Sequence, residues 1–382
     1  MIPRVARILP LLAATLSVAA PPAVRIVRTP QAGIQPQVAA GGDGVIHLIY
    51  FLGDPAAGDV YYARKQPDAR EFSKAVRVNS QSGSVMAIGT IRGAQLAVGR
   101  GGRVHVAWNG SRKAEPKAPG DSTPMLYTRL NDTGAAFEPQ RNLIQNAVGL
   151  DGGGSVAAGG DGGVYVVWHA PGPGKEGEQN RQVWIARSHD DGTTFAPEQP
   201  AWQEPAGACG CCGMRAFADP RGPVYILYRA ATHGTDRDMM LLASNDNAAS
   251  LQGVRVHPWK LNACPMTSDF LAADASGVLA VWETAGQVYF AHADPRTLAI
   301  STPVAPPGHG KRKHPVIARN SDGDTLLVWT EGTGRNKGGS VAWQLFDGAG
   351  RPTPEHGEAG GLPAWSLAAV FVNADGSFTI VY

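Results

Sequence analysis

One short pattern occurs seven times along this chain: a glycine-bearing turn, three mostly apolar residues, then a tryptophan or tyrosine. The copies end at Tyr50, Trp108, Trp168, Tyr228, Trp282, Trp329 and Tyr382. Glycine stands six residues before the aromatic in six copies (Gly44, Gly102, Gly162, Gly222, Gly323, Gly376), and Gly277 stands five before it in the other. Short apolar stretches lie upstream of these turns, such as PQVAA from Pro36, AQLAV from Ala94, RAFA from Arg215 and PVIA from Pro315. Each unit therefore opens with a β-hairpin.

A third strand follows most hairpins, as in VYYAR from Val60, VWIAR from Val183 and VYFAH from Val288, and a weaker fourth follows several, as in VRVN from Val76. Four antiparallel strands recurring at about 40 to 60 residues are the signature of propeller blades. The expected fold is an all-β propeller of four-stranded antiparallel blades, seven by the hairpin count and six if the terminal pieces pack otherwise. The last hairpin runs to Tyr382 with no outer strand behind it, while the strand-like AVRIVR at residues 23–28 has no neighbour of its own. The N-terminal strand is expected to close the last blade, which removes an exposed edge.

Composition fits this reading. Of 382 residues, 48 are glycine and 29 proline while only 17% are charged, a balance suited to short strands and tight turns. The net charge of +2 and the single short basic run Lys311, Arg312, Lys313, with no interleaved aromatics, argue against a nucleic-acid partner. The first residues carry Arg4 and Arg7, then an apolar segment from Ile8, then small residues. That order is expected of an export signal over residues 1–20, leaving residues 21–382 as a single propeller domain in a periplasmic or extracellular protein. Its apolar run of about 12 residues is short of the roughly 20 that cross a bilayer, so no stable membrane anchor is expected.

After the third strand of the third unit stands Ser188, His189, Asp190, Asp191, Gly192, Thr193, Thr194, Phe195, which fits S-x-D-x-G-x-T-[FW], the Asp-box. Its Ser and Asp side chains are expected to satisfy turn amides, making it a folding device on the outer edge. Degenerate relatives run from Leu130 to Phe137 and from Ser244 to Asp246, in register with the blades. Boxes and blades together resemble the sialidase-like (BNR-repeat) superfamily. The resemblance implies a glycan or glycoconjugate as substrate or ligand, and it implies exo-α-sialidase-like glycoside hydrolysis built on an arginine cluster, a Tyr–Glu nucleophile pair and an Asp. The family's first arginine sits in an Arg-Ile-Pro motif opening the first inner strand, where this chain reads Ile34, Gln35, Pro36, Gln37. A non-catalytic propeller that binds a glycan, a protein or a metal is the alternative.

In a propeller, the starts of inner strands and the ends of their hairpin partners converge on one face around the channel. This rule selects Glu283 and Glu331 for acid/base work or for activating Tyr382 or Tyr50, and Arg229, Arg215, His169 and His314 for substrate binding. It also brings Cys209, Cys211 and Cys212, before the fourth inner strand, towards Cys264 and Pro265, before the fifth. An oxidising compartment favours a structural bridge from Cys264 to the Cys209–Cys212 loop. The alternative is a soft-metal site for Cu(I) or Zn(II), with thiolates joined by His257 or His314. No motif calls for an organic cofactor. The Cys-x-Cys-Cys and Cys-Pro pair is also similar to that of an exported bacterial subset of the superfamily, which carries it in the same two blades.

Overall fold

The computed structural model describes residues 23–382 apart from residues 148, 173, 275 and 276, so the expected export signal lies outside the described residues. Seven antiparallel hairpins become the inner two strands of seven sheets. The inner strands are Ile34–Ala40, Gln95–Val98, Gly154–Ala158, Met214–Ala218, Phe270–Asp274, Arg312–Arg319 and Ala369–Val372, and together they ring a central channel. Blades are numbered here in that order.

The recurring glycine has a backbone cause. All six glycines placed six residues before the aromatic take positive φ, from 77° at Gly44 to 119° at Gly222, a conformation that side chains with a Cβ resist. In blade 5 the register pairs Asp274 directly with Gly277, so the turn is shorter and the spacing falls to five. The aromatic that ends each pattern is buried between blades: Tyr50, Trp108, Trp168 and Trp282 are among the largest fully enclosed side chains. Hydrophobic clusters accordingly run between successive blades, for example from Ile49 of blade 1 to Trp108 of blade 2.

Closure occurs as the unpaired N-terminal strand demands. Val24–Val27 lies beside the C-terminal Phe378–Val381, pairing Val24 with Phe378 and Val27 with Val381, and the strands run parallel. Two blades have three strands: the closing blade, and blade 5, where isolated bridges such as Phe290 to Val304 replace a fourth strand. Blade 6 instead has a long outer strand, Pro352–Leu362, whose proline- and glycine-rich sequence carries little strand propensity. It is an edge strand on Gly339–Phe346, and Gly357 leaves the room that Trp343 fills; a Cβ there would stand 2.3 Å from the indole.

The Asp-box behaves as its residue types require. The Ser188 hydroxyl accepts from the Gly192 amide at 2.9 Å, and Asp190 accepts from the Thr194 amide at 2.8 Å. Ser244 and Asp246 repeat these bonds with the amides of Ala248 and Ser250. The box also ties blades together. Arg103 of blade 2 donates to Asp191 at 2.5 Å, Arg129 donates to the Asp191 carbonyl at 2.7 Å, and Phe195 meets Tyr127 edge-on at 4.8 Å. Phe195 thus packs between its own blade and the preceding one.

Candidate functional site

The channel is closed on the face where inner strands begin. Arg215 donates to Gln95 at 2.5 Å and to Gln37 at 3.3 Å, and it lies over the Phe270 ring at 4.4 Å. Beyond this plug a cavity of about 600 Å³, lined by Val38, Leu96, Val156, Phe217, Ala272 and Phe371, extends toward the hairpin turns of the opposite face. Arg215, expected to grip a substrate, is thus a buried crossbrace; burial lowers its pKa to about 10.

The chemistry concentrates beside the plug, where loops of blades 3, 4 and 5 meet. Cys209, Cys211 and Cys212 bring their sulfurs within 4.8 Å of one another, with Sγ separations of 3.2 Å between Cys209 and Cys211 and 3.4 Å between Cys209 and Cys212. The tight turn comes from the Cys212 amide donating to the Cys209 carbonyl at 3.2 Å, while the Cys209 amide donates to the Arg229 carbonyl at 2.9 Å. The intervening glycine lets two side chains close in: a Cβ at Gly210 would stand 2.8 Å from Asp151 and 2.9 Å from the Arg181 guanidinium, and both would have to shift.

The expected bridge from Cys264 is not present. All four cysteines are free, and Cys264 is exposed on its loop, outside the group of three. The loop still adjoins the cluster, because the Gly213 amide, next to Cys212, donates to the Thr267 carbonyl at 2.9 Å and Lys313 donates to the Pro265 carbonyl at 2.6 Å. Hydrogen bonding to Cys211, together with burial, pushes the Cys209 thiol up to about 12, although Cys212 and Arg237 oppose this. Burial likewise raises the Cys212 pKa, with Arg229 pulling against it.

Three arginines surround the sulfurs. Arg229 donates to the Arg237 carbonyl at 2.7 Å and to the Glu283 carbonyl, and it stacks over Trp259 at 5.0 Å. Arg237 donates to Glu178 at 2.6 Å, Glu178 accepts from the Gly210 amide at 3.2 Å, and Arg181 pairs with both Glu178 and Asp151. Arg229 and Arg237 are buried, yet Nε of each and Nη1 of Arg237 have no hydrogen-bond partner. Asp269, at the start of blade 5, is enclosed nearby; burial holds its carboxyl pKa well above the usual range against the pull of Arg229 and Arg215.

Of the residues expected here from sequence, Arg229 and His169 bond the cysteine loop, Glu283 joins through its carbonyl on Arg229, and the rest are committed elsewhere. Glu283 accepts from the Gly286 amide at 2.5 Å and burial raises its pKa, but it is nearly enclosed. Glu331 accepts from Arg312 at 3.1 Å and from the Trp329 indole at 2.8 Å. The Tyr382 hydroxyl donates to the Gly360 carbonyl of the blade 6 outer strand at 3.2 Å, and Arg28 lies 4.0 Å over its ring. The carboxylates and the tyrosine therefore do not form a nucleophile pair, because the strand-end aromatics face between blades. Tyr50 is enclosed in the same way, against Tyr61.

The histidines also hold loops. His169 has one ring nitrogen 2.6 Å from the Asp151 carbonyl and the other 3.2 Å from that of Cys212. His314 meets Ser268 at 3.1 Å, and His257 accepts from the Trp282 indole at 2.9 Å, so neither of the histidines expected to join the thiolates does so. Asp269, Arg237, Arg181 and Glu178 were not selected from sequence. Arg237 and Glu178 sit in long loops between second and third strands, and only the fold shows that these loops reach the cysteines.

No family model matches the chain, and no curated protein matches it in sequence. Solved structures do match in fold. A protein of unknown function from Dyadobacter fermentans is similar over 81% of this chain and 93% of its own, with 12% identity and a TM-score of 0.52. The α-L-arabinanase of Penicillium chrysogenum, solved with arabinobiose, is similar over 86% and 96%, with 14% identity and a TM-score of 0.52. The sialidase of Trypanosoma rangeli, solved with the inhibitor DANA, is similar over 81% of this chain but 54% of its own, with 13% identity and a TM-score of 0.51. The chain is thus a seven-bladed propeller that shares its fold with glycoside hydrolases at low identity. Such likeness speaks for architecture and not for chemistry.

Proposed function

We propose that this protein is a non-catalytic, exported propeller that binds a soft metal ion through the thiols of Cys209, Cys211 and Cys212. The observation that carries the reading is the convergence of three free sulfurs within 4.8 Å beside two buried arginines with unpartnered N–H groups. Soft thiolates select Cu(I) and Zn(II) over hard ions, and a cluster that develops negative charge on binding is matched by cations already in place.

Glycoside hydrolysis is the second reading, and the fold shared with arabinanase and sialidase is what favours it. The geometry supports it less well. Glu331 is tied within blade 6 and Tyr382 to the outer strand of blade 6, and Asp269 is enclosed beside a recess of only about 20 Å³, too small for a sugar. The 600 Å³ cavity that Arg215 also lines has no carboxylate, histidine or tyrosine in its wall among the described residues. One experiment separates the two. The full reduced protein is tested for bound metal by titration and for turnover against fluorogenic glycosides, sialosides included. One metal per chain and no turnover is the expected result; turnover without metal binding would replace this reading with the hydrolase.

A further inference from the structure

Resting on the metal-binding reading above, we infer that the site holds monovalent copper in three-coordinate, all-sulfur geometry, with Arg229 and Arg237 as its built-in counter-charge. The donor count argues first. Among the described residues, no other histidine, cysteine, aspartate or glutamate ligand atom joins the three sulfurs. His169, His257 and His314 each spend ring nitrogens on Asp151, Trp282 and Ser268, and Cys264 stands outside the group. Structural Zn(II) sites are almost always four-coordinate, whereas soft sulfur donors select Cu(I).

Spacing fits as well. Three sulfurs bound about 2.3 Å from one central ion stand about 4 Å apart in a plane. The observed separations, 3.2 Å between Cys209 and Cys211 and 3.4 Å between Cys209 and Cys212, fall short of that value by less than about 1 Å, and all three sulfurs lie within 4.8 Å of one another, so binding asks for only a small opening of the group.

Charge argues last. On binding, three thiols release three protons and three sulfur–metal bonds form, with no electron transferred. Three thiolates around Cu(I) carry a net charge of −2, and around Zn(II) they carry −1. A buried charge of −2 needs two cations close by. Arg229 and Arg237 are both buried and flank the cysteine loop through the Arg229 carbonyl and through Glu178. Arg237 and Arg181 share the Glu178 carboxylate, Arg229 has no carboxylate at ion-pair distance among the described residues, and Arg229 and Arg237 keep three unpartnered guanidinium nitrogens between them. An N–H with no partner in the free protein is a donor available to a thiolate sulfur.

The test uses the full reduced chain under anaerobic conditions, with Cu(I) supplied as its bathocuproine disulfonate complex. One Cu(I) per chain with a three-sulfur shell by X-ray absorption is expected. Cys209→Ser, Cys211→Ser and Cys212→Ser each lower the affinity at least about 100-fold, and Arg237→Gln lowers it about tenfold, while Cys264→Ser leaves it unchanged. Circular dichroism confirms that each variant is folded. A site that takes Zn(II) in preference, with a fourth ligand in its absorption spectrum, overturns the copper inference but leaves the metal-binding reading standing. No metal bound by the folded protein overturns both. An unchanged affinity in Arg237→Gln removes the counter-charge argument.

Discussion

Two polar clusters lie between blades of this propeller, and they are built on opposite terms. At the junction of blades 2 and 3, Asp191 takes Arg103 at 2.5 Å, faces the His105 ring at 3.5 Å, and passes its carbonyl to Arg129. Where blades 3, 4 and 5 meet, Arg229 and Arg237 are more fully enclosed yet keep N–H groups without partners, beside three thiols whose pKa values are raised by hydrogen bonds among the sulfurs and by burial. Opposite charges that face one another fasten blades. Beside the thiols Arg237 is paired with Glu178, but Arg229 has no carboxylate at ion-pair distance among the described residues, so it awaits a charge that arrives with a ligand, since leaving buried donors unsatisfied is otherwise costly.

The largest effect expected from this contrast is ligand-linked. Cu(I) buffered at about a thousand times its dissociation constant adds about 4 kcal/mol of unfolding free energy. Denaturant titration with and without metal measures it, and Cys212→Ser abolishes the increment while leaving the metal-free protein folded. An equal increment in Cys212→Ser would erase the distinction between the clusters.

Next comes the fastening itself. Asp191→Ala leaves His105 without its carboxylate and Arg103 with only the exposed carboxylate of Asp132, and losing these charge-assisted bonds costs about 2 kcal/mol. The urea midpoint of the metal-free variant falls accordingly, while its Cu(I) affinity stays unchanged. A shift in affinity would mean that the two clusters communicate through blade 3.

A smaller, pH-dependent effect belongs to the histidine behind the site. Burial, with Lys313 adding to it, lowers the His314 pKa from 6.5 to about 3. In the unfolded chain the imidazole takes its proton as pH falls through 6.5, and in the folded protein it does so only near 3. Its share of stability is therefore fully present above 6.5 and is lost on acidification, at about 1.4 kcal/mol per pH unit. His47, lowered to about 4 mainly by burial, titrates in the same sense. His314→Gln is expected to remove about one such increment per pH unit from the slope measured between pH 4 and 6. An unaltered slope would mean that His314 is not enclosed as a neutral ring.

Local and repeated features of this molecule were legible in its sequence. Hairpins close within a few residues, and the left-handed backbone at Gly44 or Gly222 shows directly as a glycine at fixed spacing. The N-terminal strand was legible as the missing member of the last blade, although its parallel direction was not. Pro352–Leu362 was missed because an edge strand paired on one side tolerates proline and glycine that a central strand would exclude. The site divides the same way. Cysteines before two inner strands could be placed on one face by topology. That Cys264 stays outside the group, that Arg229 spends its guanidinium on the Arg237 and Glu283 carbonyls instead of a substrate, and that Arg237 pairs with Glu178 beside the cysteine loop depend on how three loops pack, which no periodicity encodes.

The smallest effect expected is also the sharpest check on that packing. Cys264 is exposed, and it has neither a sulfur partner nor a place in the thiol group. Its loop is held instead by Lys313 on the Pro265 carbonyl at 2.6 Å and by the Gly213 amide on the Thr267 carbonyl at 2.9 Å, neither of which involves the Cys264 side chain. Cys264→Ser should therefore change unfolding free energy by less than about 0.5 kcal/mol, the ordinary range for a surface position. Thiol titration of the untreated, metal-free protein should count four reactive groups after denaturation and three in the variant. A count of two in the untreated protein, rising to four only with reductant, would show that a disulfide had formed. If Cys264→Ser then abolished it, the loop would close over the cluster as a covalent lid, and the contrast between a fastened junction and a waiting site would give way to two fastened junctions.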